Sequence, residues 1–231
     1  MSRTEHRFKT EEELVEMLSR RIASDLENAI RTNGKASLIV SGGKTPIPLF
    51  KKLSKAPLEW EAVTVGLCDE RWIPPTHKES NEHLVKSYLL QGRAGEATFV
   101  GMYTEGVETE AAEGLCAEKI KVALYPFDVL LLGMGSDGHT ASLFPGNLKL
   151  EKAFDLENDA LCISIEPQNA PYRRMSLTLH AMLSAKHLYL HFEGEEKVAV
   201  YNEALNGDDS YKMPIRSLLN QDIKDVEVYY V

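Results

Sequence analysis

Cysteine is scarce in this chain of 231 residues: Cys68, Cys116 and Cys162 stand far apart, with no C-x-x-C pair. That spacing supports neither a disulfide framework nor a zinc centre. The histidines do not fall into H-E-x-x-H or a related ligand pattern, so no metal and no metal cofactor is expected. Long apolar runs are missing as well. Stretches such as Val129–Leu132 are far too short to span a bilayer, and Met1–Glu13 lacks the apolar run of a signal peptide, which points to a cytoplasmic protein with no membrane partner. An excess of positive charge is also absent, the formal net charge being −9. A general nucleic-acid surface needs clustered Lys and Arg and is not expected here. A small anionic substrate needs only a few local cations and backbone N–H groups, and stays open.

What is present is ordinary globular material: 43% hydrophobic and 26% charged residues, which argues against disorder. The length suits one large domain, and no linker, repeat or low-complexity tract divides it, so residues 1–231 are read as a single domain. Thr10 with Glu13 forms a helix-start signature, and Leu14, Met17, Leu18, Ile22, Leu26 and Ile30 recur at helical spacing until Asn33-Gly34. Apolar runs at 36–40, 62–67, 127–132, 161–165, 175–179, 187–192 and 226–231 read as strands. Helical stretches separate several of them: one capped by Ser80, one carried by Ala111, Leu115, Ile120 and Leu124, and one over 197–205. Strands alternating with helices predict an α/β fold, a three-layer, Rossmann-like, mostly parallel sheet with helices on both faces. Ligands in such sheets bind outside the carboxyl ends of the strands. Three polar or glycine-rich segments stand there: Ser41–Pro46, Asp69–Pro74 and Gly133–Pro145.

Ser41-Gly42-Gly43-Lys44-Thr45-Pro46 lies between a strand and a short helix. Its glycines let backbone N–H groups approach a ligand, Thr45 is placed to cap the helix, and the helix start favours an anion. It is not a P-loop, because the first glycine of that motif would fall on Leu38; a plain strand-to-helix turn is the alternative. Asp69-Glu70-Arg71-Trp72-Ile73-Pro74 offers a carboxylate and a guanidinium to orient hydroxyls and balance negative charge, or else a surface ion pair. Cys68 beside it reads as a small buried residue rather than a nucleophile. Gly133-Met134-Gly135-Ser136-Asp137-Gly138-His139 contains a G-x-G-x-x-G run, but Asp137 would set a carboxylate in the turn meant for a pyrophosphate, so a dinucleotide is not expected. The glycines instead expose Asp137 and His139 at the sheet edge, where His139 can carry a proton near neutral pH and a carboxylate can orient it. Arg173, Arg174 and Lys197 are solvated charges alone, or with the glycine loop they complete an anion site.

Together these segments resemble the 6-phosphogluconolactonase family of the glucosamine-6-phosphate isomerase and deaminase superfamily, over nearly the whole chain. SGGKTP is similar to the family's SGGSTP, DERWIP with Ser80-Asn81 to its DER…P…SN segment, and LLLGMGSDGHTASLFPG to its signature. Arg174 with Ser176–Leu179 resembles its R-x-T-L-T-L strand, and Gly194 with Lys197 its G-x-x-K. The resemblance implies hydrolysis of 6-phospho-D-glucono-1,5-lactone without a cofactor. It implies His139 as the base for the attacking water, Asp69 and Arg71 facing the sugar, and Gly42, Gly43, Thr45, Arg174 and Lys197 holding the phosphate. Lys44 replaces the family's usual Ser and is expected to strengthen phosphate binding; His180 stands where Pro is common. A glucosamine-6-phosphate deaminase is the rival reading, and Thr140–Pro145, which brings no further acid after His139, speaks against it. A non-catalytic sugar-phosphate sensor would not need both Asp137 and His139. The residues leave the oligomeric state open.

Overall fold

The computed structural model describes residues 3–231, and no helix among them is long and apolar enough to cross a membrane. Met1 and Ser2, the first two residues of the segment read for a signal peptide, lie outside the described residues. The chain begins with β1 (Arg3–Arg7), α1 (Glu11–Asn33), β2 (Ala36–Val40), α2 (Ile47–Leu53), β3 (Val63–Leu67) and β4 (Asp69–Arg71). It continues with α3 (Asn81–Tyr88), β5 (Thr98–Val100), α4 (Glu113–Ala123), β6 (Val129–Leu132), α5 (Leu150–Phe154), β7 (Cys162–Ile165) and β8 (Arg174–Leu177). It ends with α6 (Leu179–Leu183), β9 (His187–Phe192), α7 (Glu195–Leu205), α8 (Ile215–Leu219) and β10 (Val226–Tyr230).

Seven strands form one parallel sheet in the order β1-β10-β9-β6-β2-β3-β5. Every residue of β2 and β6 is buried, which requires cover on both faces of the sheet and explains why these strands are continuous apolar runs. The α/β expectation holds. From β2 the chain steps outward through β3 to β5, and from β6 it steps the other way through β9 to β10. The direction of winding therefore reverses between β2 and β6. At such a switch point the loops leaving the two strands diverge and open a crevice, and here those loops are Ser41–Pro46 and Gly133–Pro145.

A second, antiparallel sheet, β4-β8-β7, branches off after β3. Its register sets Arg71 opposite Arg174. It also corrects one expectation, since the strand read over 175–179 runs from Arg174 to Leu177 only. The Thr178 hydroxyl accepts the Ala181 N–H and starts α6, so apolar Leu179 belongs to a helix.

Local signals explain other boundaries. The Thr10 hydroxyl accepts the Glu13 N–H at 3.2 Å, and Gly34 closes α1 with φ +74° and a bond to the Ile30 carbonyl. Thr45 does not cap α2: Pro46 occupies the cap position and no side chain caps there. In α4 the buried positions are Cys116 and Ile120, with Ala112 just before, while Leu115 is 50% exposed, one position out of register with the expected stripe. The edge strands β1 and β5 add pairing that hydrophobic patterning does not announce, because Arg-Thr-Glu-His-Arg is polar throughout and Thr-Phe-Val is three residues long.

Candidate active site

A cavity of about 340 Å³ opens over the switch point. It is lined by residues of all three expected segments, among them Gly42, Gly43, Thr45, Asp69, Arg71 and His139, together with Arg174 and Lys197. Asp137 and Lys44 are not among the lining residues: Asp137 stands directly behind His139, and the Lys44 side chain is exposed beside the glycine loop.

The His139 loop is a tight return. The Gly138 N–H donates to the Gly135 carbonyl at 3.1 Å and the Gly135 N–H to the His139 carbonyl at 2.8 Å, with Gly138 at φ +80°. This folds the imidazole back over Gly135, where a Cβ would lie 2.0 Å from Nδ1. Only glycine leaves that space. Asp137 Oδ1 accepts the His139 backbone N–H at 3.0 Å and stands 2.6 Å from its Nδ1. Burial would raise the Asp137 pKa, but the hydrogen bonds and charge of His139 outweigh it and hold it at about 2. An ionised carboxylate can only accept, so Nδ1 is the donor in this contact, and in the neutral ring that tautomer puts the lone pair on Nε2. The Phe144 ring packs against the imidazole at 4.8 Å between centroids.

Across the cavity, β4 alternates its side chains. Asp69 and Arg71 line the cavity while Glu70, fully buried, turns toward the start of α3. Its carboxylate accepts four donors: the backbone N–H groups of Arg71, Asn81 and Glu82 and the Ser80 hydroxyl, at 2.7–2.9 Å. Burial pushes Glu70 up to about 7, and the four donors limit the rise. Asp69 is also buried, its Oδ2 accepting the Ser142 hydroxyl at 2.6 Å. Arg174 is 6% exposed; it donates through Nη2 to the Pro171 carbonyl, and its Nε has no hydrogen-bond partner among the described residues. Burial lowers its pKa, Asp69 opposes that, and neighbouring Arg71 adds to it. A buried donor without a partner, beside a second guanidinium, is suited to an incoming anion. Arg173, by contrast, points away to Glu108 and Glu110 and takes no part.

Lys197 lies in the first turn of α7; burial lowers its pKa, while Glu196 and Asp137 act in the opposite sense. It shares the cavity wall with His191, a buried residue of β9 whose Nε2 is 2.9 Å from Glu193 Oε1. Asn81, Ser142, Phe144 and His191 are lining residues that sequence reasoning did not single out as site residues. Asn81 directly follows the cap Ser80, and the likeness of Ser80-Asn81 to the family's SN segment was the available signal. Cys68 is buried with its thiol pKa pushed up by burial and by Asp69, in keeping with a structural residue.

The family model for glucosamine-6-phosphate isomerases/6-phosphogluconolactonase matches residues 9–227. The chain belongs to that family. Relatives agree over most or all of their length. It is 39% identical over 230 residues to a 6-phosphogluconolactonase of Rhizobium meliloti, covering 100% of this chain and 99% of the relative. It is 40% identical over 215 residues to one of Pseudomonas putida, covering 93% and 88%. The crystal structure of a 6-phosphogluconolactonase from Shewanella baltica superposes with a TM-score of 0.96 at 42% identity, covering 99% of this chain and 97% of that one. The cavity of this chain is built from the segments that follow β2, β3 and β6, with residues of β8 and α7 closing it.

Proposed function

We propose that this protein hydrolyses 6-phospho-D-glucono-1,5-lactone to 6-phosphogluconate, the second step of the oxidative pentose phosphate pathway, in the cytoplasm. One domain spanning residues 1–231 carries the reaction. The observation behind the mechanism is the Asp137–His139 pair, whose 2.6 Å contact leaves Nε2 as the basic nitrogen on a cavity-lining imidazole. His139 takes a proton from water as the water oxygen bonds to the lactone carbonyl carbon. The carbonyl oxygen becomes an oxyanion, and the guanidinium of Arg71 offsets its charge. Collapse of the tetrahedral intermediate breaks the bond to the ring oxygen, which receives the proton from His139. Asp69 orients sugar hydroxyls. Arg174, Lys197 and the N–H groups of Gly42, Gly43 and Thr45 hold the phosphate, with Lys44 adding positive charge outside the loop.

Full-length relatives named 6-phosphogluconolactonase support this substrate over glucosamine 6-phosphate. So does the segment Thr140–Pro145, which supplies hydroxyls and apolar groups but no second acid for amine departure. The test is steady-state turnover of freshly made δ-lactone. Decay well above the spontaneous rate is expected, and no ammonia from glucosamine 6-phosphate. Lactone decay at the spontaneous rate with excess protein sinks the proposal, and ammonia release alone would make the protein a deaminase.

A further inference from the structure

Asn81 is 3% exposed and lies at the meeting point of three pieces of the cavity. Its backbone N–H is fixed by Glu70 Oε1 at 2.7 Å. Its Nδ2 donates to the Asp69 carbonyl at 2.9 Å and approaches Asp69 Oδ1 at 3.4 Å. Its Oδ1 faces Arg71 Nη1 at 3.4 Å, a second acceptor for a nitrogen that also donates to the Glu79 carbonyl. The amide also rests directly on the glycine loop: a Cβ on Gly42 would lie 1.9 Å from Asn81 Oδ1 and 2.3 Å from its Cγ. An amide suits this place because one end must donate, to a carbonyl and a carboxylate, while the other must accept from a guanidinium. Neither a carboxylate nor an aliphatic side chain of the same size does both.

We propose that Asn81 is a positioning residue for lactone hydrolysis, setting Arg71 and the glycine loop in one geometry so that charge stabilisation and phosphate grip act on the same bound substrate. The proposal rests on the lactonase reading above. Because a misplacement of about 1 Å at a reacting centre can cost about 100-fold in rate, a residue that touches neither water nor the reacting carbon can still govern kcat.

The decisive experiment is a double-mutant cycle between Asn81→Asp and Arg71→Ala. Asn81→Asp keeps the shape, sets an acceptor against the Asp69 carbonyl, and draws the guanidinium toward a new charge. Acting through Arg71, it lowers kcat by about 10- to 100-fold with KM changed less than about threefold. In the Arg71→Ala background the same change costs less than about twofold, since the group it acts through is gone. Losses that simply multiply overturn the proposal. A second pair guards against a folding defect. Gly42→Ala collides with the amide in the wild type, but in an Asn81→Ala background it should cost less than about threefold in kcat/KM. Equal damage from Gly42→Ala in both backgrounds also overturns it. Wild-type turnover is run alongside: no acceleration there removes the lactonase reading itself, whereas acceleration with a multiplicative cycle removes only the role of Asn81.

Discussion

The Ser142 hydroxyl donates to the Asp69 carboxylate at 2.6 Å across 73 residues of sequence, joining the loop that carries His139 to the strand that carries Arg71. Both residues are buried, Ser142 completely. One carboxylate oxygen therefore helps to hold the two walls of the cavity together, while the other accepts from the Cys68 thiol at 3.3 Å and faces Asn81 Nδ2 at 3.4 Å.

Ser142→Ala removes that tie and leaves a buried carboxylate short of a donor. A loss of about 1–3 kcal/mol in unfolding free energy is expected, as for a buried polar group deprived of its partner. Denaturant unfolding measures it. Unchanged stability would mean that the two walls are held by other contacts.

His139→Ala should lower kcat by about 10²- to 10⁴-fold with little change in KM, the loss expected of a general base. A large rise in KM with kcat intact would make His139 a binding group instead. Asp137, held at about 2, stays ionised through the working range, so a fall in rate on acidification above pH 4 belongs to another group. Its depressed pKa contributes stability that is present above its ordinary value of 3.8 and is lost as the pH falls toward 2. Acid unfolding of Asp137→Asn beside the wild type reads this directly: the advantage of the wild type should shrink below pH 4.

Glu70 behaves in the opposite sense. Its folded pKa of about 7 lies above the ordinary 4.5, so its contribution to stability is full below pH 4.5 and is lost as the pH rises through 7. Glu70→Gln replaces the carboxyl with an amide that does not titrate in this range. The gap between wild type and variant should narrow from pH 5 to pH 8 in thermal or denaturant melts. A gap that widens with pH would contradict the raised pKa.

Cations around the glycine loop are expected to differ in weight. Lys197→Ala and Arg174→Ala remove partly or fully buried charges and should raise KM by about tenfold or more, given about 1.5–3 kcal/mol for a charge-assisted hydrogen bond. Lys44→Ser removes an exposed charge and should raise KM only about twofold, an effect that fades as salt is added. Equal KM values for Lys44→Ser and wild type at low salt would show that Lys44 does not act on the phosphate.

The central strands and the position of the cavity were legible because burial on both faces leaves a continuous apolar run, as in Val129–Leu132, and a glycine-rich break after it. Polar strands are harder. Asp69–Arg71 reads as a loop because its side chains serve a cavity and a buried helix start rather than a core. Only the pairing with Arg174–Leu177, a partner about a hundred residues away, makes it a strand. Thr178 defeats the pattern differently: the apolar residues on either side of it are buried, one in a strand and one in a helix, and hydrophobicity does not tell them apart. His139 was visible in its own segment, whereas Asn81 and Ser142 lay inside the motifs without a role, because their partners Asp69 and Arg71 come to them only in the fold.

The register that sets Arg71 opposite Arg174 has one more consequence. Two like charges on neighbouring strands, one of them deeply buried, repel each other, and a negatively charged guest relieves that repulsion. Asp69 offsets part of that repulsion, and an anion held by Arg174 is expected to offset more and to raise the melting temperature. A doubly charged phosphate ester should steady the folded protein more than a singly charged acid does.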